Sequence, residues 1–180
     1  MKIHLGCGKR YIPGFVHVDQ VQFDHIDHNI DIRDLSCFDD GAANLIYNCH
    51  VLEYFDREEI PTVLAEWRRV LAPGGILRLS VPNFEVMSRL YQTGFSLDYF
   101  LGTLFGKIPA GTGGHIYHRT TFDQPSLIGI LAAAGFTDIE LWDWRKTEHA
   151  GTDDFSQAYF PHMDKDRGVL WSLNLQGRKA

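Results

Sequence analysis

The sequence predicts an α/β fold: an open, mostly parallel sheet with helices on both faces. Three observations point there. Short apolar runs of strand length end at Gly, Asp, Asn or Pro; runs with a 3.6-residue apolar period lie between them; and 180 residues are enough for one such domain. Domains of this size bury roughly two thirds of the surface that the unfolded chain exposes.

The elements follow in order. Lys2–Leu5 reads as a strand running into Gly6-Cys7-Gly8, and Phe15–Val18 as a second strand closed by Asp19. Asn29–Ile32 alternates polar and apolar residues and is a candidate short strand. Ala43–Tyr47 is a buried strand followed by Asn48-Cys49-His50. Ile60, Val63, Leu64, Trp67, Val70 and Leu71 share one helical face, with Glu66, Arg68 and Arg69 on the wet side. Asp56–Ile60 forms a separate turn, and Pro61 opens the helix, where its missing N–H costs nothing. Pro73-Gly74-Gly75 ends that helix before the strand Ile76–Val81, which Pro82 stops and a short helix follows. A helix after Pro125 carries Leu127, Ile128, Leu131 and Ala132 and closes at Gly135. Thr137–Trp142 and Val169–Leu175 are the last strands.

Composition excludes several function classes. With 44% hydrophobic and 22% charged residues the chain is not disordered, and at a net charge of −6 without a basic run it is a poor ligand for nucleic acid. No apolar run reaches the ~18 residues of a membrane span. Cys7, Cys37 and Cys49 are too few and too irregular for a disulfide framework or metal knuckle. The expectation is a protein of a reducing, cytoplasmic compartment, with no nucleic-acid or membrane partner; a homo-oligomer stays open.

Two stretches exceed a minimal α/β scaffold, residues 92–122 and 145–168. Long loops in compact domains tend to be functional, and both would emerge where the ligand crevice of an open sheet lies. Both are candidate substrate lids.

Gly6-Cys7-Gly8 after a first strand suggests a loop that a ligand approaches closely. A dinucleotide fingerprint is disfavoured: Tyr11 takes the place of the third glycine, and Asp19 follows Gly8 by only 11 residues. An ordered series fits another pattern. Leu5-Gly6-Cys7-Gly8, Val18-Asp19, Asp31-Ile32-Arg33-Asp34-Leu35, Ala43-Asn44-Leu45-Ile46-Tyr47 with Val51-Leu52-Glu53, and Arg69-Val70-Leu71-Ala72-Pro73-Gly74-Gly75 together resemble class I S-adenosylmethionine-dependent methyltransferases of the small, type 11-like kind. The resemblance covers residues 3–82 and implies a Rossmann-like sheet with an antiparallel last strand. It also implies one domain over 1–180, with a cofactor half (1–82) and a substrate half (83–180). The chain departs from the family in having only Lys9–Gly14 where a helix usually joins the first two strands.

The resemblance implies that S-adenosyl-L-methionine is the cofactor. Gly6, Cys7 and Gly8 would meet its methionyl part, Asp19 the ribose hydroxyls, Asp31 and Ile32 the adenine, and Asn48, Cys49 and His50 the sulfonium. An alcohol acceptor needs its proton removed, and histidine is the usual base. His118 is the first candidate, with His115 and His50 behind it. His115-x-x-His118 lacks the further ligands a zinc site needs, so no metal is expected. Arg119, Arg145 and Lys146 are candidates for holding an anionic acceptor, and Tyr159 and His162 for lining its pocket. The segment Asp154–Asp164 resembles members predicted to act in sugar or polysaccharide biosynthesis.

The function these readings imply is methylation of a small molecule, most directly O-methylation of a sugar-like or anionic metabolite. The alternatives are a non-catalytic cofactor-binding module or partner subunit, a nicotinamide-dependent oxidoreductase, and a nucleic-acid methyltransferase. The second is disfavoured by Tyr11. The third is disfavoured by the acidic balance and by Val81-Pro82-Asn83-Phe84, which is not the motif used on base amines.

Overall fold

Residues 1–109 and 113–180 are described by a computed structural model. Parallel strands β1 (Lys2–Leu5), β2 (Val16–Val18), β3 (Ala43–Cys49) and β4 (Leu71–Pro82) are joined in one sheet by β7 (Phe136–Leu141) and β10 (Ser172–Lys179), in the order β2-β1-β3-β4-β10-β7. Strand β10 runs antiparallel to both its neighbours, so the reversed last strand is present. Two small hairpins lie outside the sheet: β5 (Ile108–Pro109) with β6 (His115–Ile116), and β8 (Tyr159–Phe160) with β9 (Val169–Leu170).

The pleat sorts the side chains. Ile3, Ile46 and Leu77 are in register across β1, β3 and β4, and Leu79 pairs with Leu175 on β10. They form one core with Ile60, Val63, Leu64 and Trp67 of α1 (Ile60–Val70) and Leu127 and Leu131 of α4 (Gln124–Ala133). Pro61 stands at the start of α1, as its ring geometry favours. An Asp123–Ser126 capping box opens α4.

The alternate residues, His4, Tyr47 and Arg78, face the other way. Among the described residues, the packing on that face comes from loops and short turns and not from α1 or α4. The face is covered by Ile12 and Phe15 from the short β1–β2 connection, Trp142, and the 145–168 segment with its buried His149 and Asp154. The segment expected as a lid thus also serves as the second layer, over the face that the missing helix leaves bare.

Four sequence expectations are corrected. Asn29–Ile32 is not a strand: apart from a single bridge of His28 to Val18, the chain turns here. The Asp31 carboxylate accepts from Arg33 N and the Asp31 carbonyl from Asp34 N, and this Asx and backbone turn outcompetes the alternation. Helix α1 ends at Val70, three residues before the proline, and Lys179 Nζ donates to the Leu71 and Arg69 carbonyls at 2.6 and 3.3 Å. Residues 71–75 instead begin β4, with a register shift against β3. Gly75 is required there, because a Cβ would lie 2.8 Å from the Ala72 carbonyl oxygen. Val169–Leu175 is split at Trp171 between β9 and β10. The 92–122 stretch, of which 110–112 lie outside the described residues, folds α3 (Asp98–Phe105) and the β5–β6 hairpin; α2 (Phe84–Gln92) precedes it.

The second face predicts an acid-sensitive fold. Burial holds His4 and His149 below the ordinary imidazole value, and it brings His50 down to about 3. Unfolding frees each ring to take a proton near pH ~6.5, so stability is complete above that pH. It is lost as pH falls, by up to about 1.4 kcal/mol per pH unit for each ring that must stay neutral. Thermal melting between pH 7.5 and 5, above the range where most carboxylates titrate, should show a steadily falling midpoint. A flat profile would contradict the neutral burial of these rings.

Candidate active site

The site lies at the carboxyl ends of β1, β2 and β3. Strand β1 ends in Gly6, whose φ of +62° and Cβ position, 2.6 Å from Val51 Cγ2, leave no room for a side chain. Gly6 N donates to the Val18 carbonyl at 2.8 Å, and Asp19 then ties the loop down. Its Oδ2 accepts from Gly8 N and its Oδ1 from Val21 N, both at 2.8 Å. A carboxylate has about four acceptor sites, so Asp19 can still receive ligand hydroxyls while it shapes the glycine turn.

Two cavities meet at this loop. The first, about 360 Å³, is lined by Gly6, Asp19, Asp31, Ile32 and His50, with Val21, Val51 and Phe55 as apolar wall. His115, Tyr117 and Arg119 close it from the 92–122 segment. The second, about 520 Å³, begins at Gly6, Cys7, Gly8, Cys49 and His50. Its far side carries Lys107 and His118 from one insertion and Phe155, Tyr159 and His162 from the other. Gly6, His50, Tyr54 and Ile108 line both cavities. Both volumes fall within the range of small-ligand pockets, ~300–1,000 Å³.

Local bonding fixes the first cavity. Arg33 Nη2 donates to Asp31 at 2.5 Å, which holds that carboxyl below the usual range, and Arg33 also reaches Glu59 at 3.2 Å. Trp67 Nε1 donates to the Ile32 carbonyl at 2.9 Å, anchoring the loop to α1. Arg119 pairs with Asp56 and Glu59 at 3.2 and 3.5 Å.

The histidines differ in setting. His115 is exposed on the rim of the first cavity. His118 is packed edge-on against Tyr54; its Nδ1 lies 2.9 Å from the Thr103 carbonyl and burial lowers its basicity. His50 has a positive φ of 54°, and its Nε2 lies 3.0 Å from Ser172 Oγ. Between these two rings sits Glu53, fully buried and 3.5 Å from His50 Nδ1, with its carboxyl pushed up to about 8 by burial. The sequence series includes Glu53 only within Val51-Leu52-Glu53 and assigns it no role. The available signal was one acid inside the apolar run Val51-Leu52-Glu53-Tyr54-Phe55.

Three expected site residues lie elsewhere. Asn48 is wholly buried in β3 and lines neither cavity, because its register with Leu5 and Leu79 turns it to the helix-covered face. Arg145 lies over the Trp144 ring and donates to the Tyr159 hydroxyl at 2.7 Å, and neither it nor Lys146 lines a cavity. The cations that do line the second cavity are Arg10, held over the Phe155 ring, and Lys107. The Cys7 thiol is pushed up to about 12 by burial and by Asp19, and Cys49 is also raised by burial, so both are poor nucleophiles. Among the described residues no group of three or more His, Cys, Asp or Glu is placed to hold a metal ion, and no helix is long and apolar enough to cross a membrane.

Comparison with known proteins agrees with this geometry. Residues 13–79 match the family model described as "Methyltransferase domain". No curated protein matches the sequence. Similar solved structures include a SAM-dependent methyltransferase from Methanosarcina mazei (15% identity, TM-score 0.58, covering 99% of this chain and 91% of that one). Another, from Archaeoglobus fulgidus, is 14% identical with a TM-score of 0.56, over 99% and 85% of the two chains. A third is the 1,6-didemethyltoxoflavin-N1-methyltransferase of Burkholderia thailandensis, solved with 1,6-didemethyltoxoflavin and S-adenosylhomocysteine bound (14%, TM-score 0.56, 99% and 70%). At such identities these likenesses establish the fold. The glycine cradle free of Cβ atoms and the adjoining Asp19 carboxylate suit the cofactor of that fold. Residues 13–79 thus match a methyltransferase domain, and the sheet is that of the class I S-adenosylmethionine-dependent methyltransferase fold.

Proposed function

We propose that the chain methylates a small molecule on oxygen, its acceptor a sugar-like or anionic metabolite. The observation that carries this reading is the junction of two cavities at Gly6, His50, Tyr54 and Ile108: one has the residues for an adenosine, the other space for a second molecule. Bound S-adenosylmethionine supplies a methyl group activated on a sulfonium. Gly6, Cys7 and Gly8 would hold its methionyl part, Asp19 its ribose, and Asp31 and Ile32 its adenine. Residues 1–82 thus bind the cofactor, while the 92–122 and 145–168 segments complete the acceptor side and shield it from water, which favours near-attack geometry.

The second cavity suits a polar acceptor with an anionic group. Phe155, Tyr159 and Trp171 offer ring faces, Arg10 and Lys107 positive charge, and His162 a rim contact. His118 and His50 line this cavity, which supports reading one of them as the group that receives the proton of an acceptor hydroxyl. Three free thiols suit a reducing cytoplasm.

Isothermal titration with S-adenosylmethionine, S-adenosylhomocysteine and NAD tests the cofactor site. Micromolar binding of the first two and none of the third is expected. A methyl-labelling screen beginning with nucleotide sugars then tests the acceptor; tight cofactor binding without transfer to any acceptor would favour the non-catalytic module. Asp19→Ala should weaken cofactor binding by about 1.5–3 kcal/mol, the range for hydrogen bonds to charged groups. Unchanged affinity in the same titration would remove Asp19 from the site.

A further inference from the structure

Glu53 lies in the 3-10 turn Leu52–Tyr54, and among the described residues neither of its carboxyl oxygens has a hydrogen-bond partner of ordinary geometry. Two imidazole nitrogens approach its Oε1: His50 Nδ1 at 3.5 Å and His118 Nε2 at 3.9 Å. The far nitrogen of each ring fixes its tautomer. Ser172 Oγ lies 2.5 Å from the Phe155 carbonyl, which takes the single hydroxyl hydrogen. Ser172 Oγ therefore accepts from His50, and the hydrogen of that ring is on Nε2. The Thr103 carbonyl can only accept, so the hydrogen of His118 is on Nδ1. Both neutral rings consequently turn a lone pair toward the same buried carboxyl oxygen.

Three acceptors converging without a hydrogen would repel one another in a site of low polarity. We propose that Glu53 is a carboxylic acid in the resting protein, its one proton lying between His50 and His118, and that it is the positioning residue that holds these two rings. The other groups around the cluster do not supply that proton: Tyr54 meets His118 edge-on, Phe155 stacks on His50, and Arg10 adds positive charge that disfavours a His50 cation. The role of the cluster rests on the methyl-transfer reading. While the Glu53 proton is directed at His50 Nδ1, the nearer nitrogen, the His118 Nε2 lone pair can take the proton of an acceptor hydroxyl, whose bonding pair stays on the acceptor oxygen. Glu53 can then pass its own proton to His50. The result is a row of alternating charge, imidazolium, carboxylate, imidazolium.

Infrared spectroscopy of the whole protein at pH 7 should show the carbonyl band of a protonated carboxylic acid. The band should be missing in Glu53→Gln, or in Glu53→Met if the first variant folds poorly, and should fade as pH rises through about 8. Histidine ring ¹⁵N spectra should report Nε2–H for His50 and Nδ1–H for His118. Glu53→Gln should keep cofactor affinity within about twofold while kcat falls at least about tenfold and its pH profile changes shape, as expected for loss of an acid–base group. A carboxylate at pH 7, or the opposite tautomer in either ring, overturns the proposal. If band and tautomers are as stated but wild type methylates no acceptor, the protonation assignment stands and the methyl-transfer reading falls.

Discussion

Replacing Trp67 with alanine should destabilise the protein by about 3–5 kcal/mol, the range for deleting a large buried aromatic. Trp67 is wholly buried on the inner face of α1, in contact with Phe55, and its indole ties that helix to the Ile32 carbonyl. The loss therefore combines a cavity at the centre of the main core with an anchor released beside the first cavity. In a domain of this size the melting midpoint should fall by roughly 2–4 °C per kcal/mol. Trp67→Phe separates the two parts. It keeps an aromatic ring in the core but removes the donor, so about 1 kcal/mol of stability should go. Cofactor affinity should weaken with it, because Ile32 lines the cavity. Thermal melting and titration calorimetry on the two variants check this. Unchanged cofactor affinity in Trp67→Phe would show that Ile32 is held without the indole.

The second large effect concerns His118. If it takes the proton of an acceptor hydroxyl, His118→Ala should lower turnover by roughly 10²–10⁴, the usual contribution of a positioned acid–base group. That corresponds to about 3–5 kcal/mol of barrier. Cofactor affinity should persist, because His118 lines the second cavity and not the first. Initial rates and calorimetry on the same preparation decide the matter. Wild-type turnover in the variant would move the proton-accepting role to His50, which lines both cavities. His118 also carries structure: Gly106 approaches its ring so closely that a Cβ there would lie 2.7 Å from Cδ2. Comparing the melting curve of the variant with that of wild type separates lost folding from lost chemistry.

How far the sequence could be read depended on the range of the interaction concerned. Strands β1, β3 and β4 and helices α1 and α4 were legible because an apolar period and a glycine or proline boundary are local properties of the chain. The glycine loop and Asp19 were legible for the same reason: a tight turn at a strand end, with a carboxylate 11 residues on, is written within one short segment. The misreading of Asn29–Ile32 shows the limit, since Asx bonding at Asp31 outweighed a weak alternation. Asn48, Arg145 and Lys146 show it again. Residue type and neighbourhood suggested a ligand contact, while strand register and an indole ring placed them away from both cavities.

By itself, then, the sequence determined the fold class, the cofactor loop and the identity of the acidic residues at the strand ends, because each depends on contacts within a few residues. Only the tertiary structure decided that the 145–168 segment covers a bare sheet face, and that Glu53 lies between His50 and His118. Those arrangements join positions far apart in the chain, as His50 meets Ser172 across 122 residues. A buried carboxyl group owes its proton to the low polarity and the partners that such long-range packing creates.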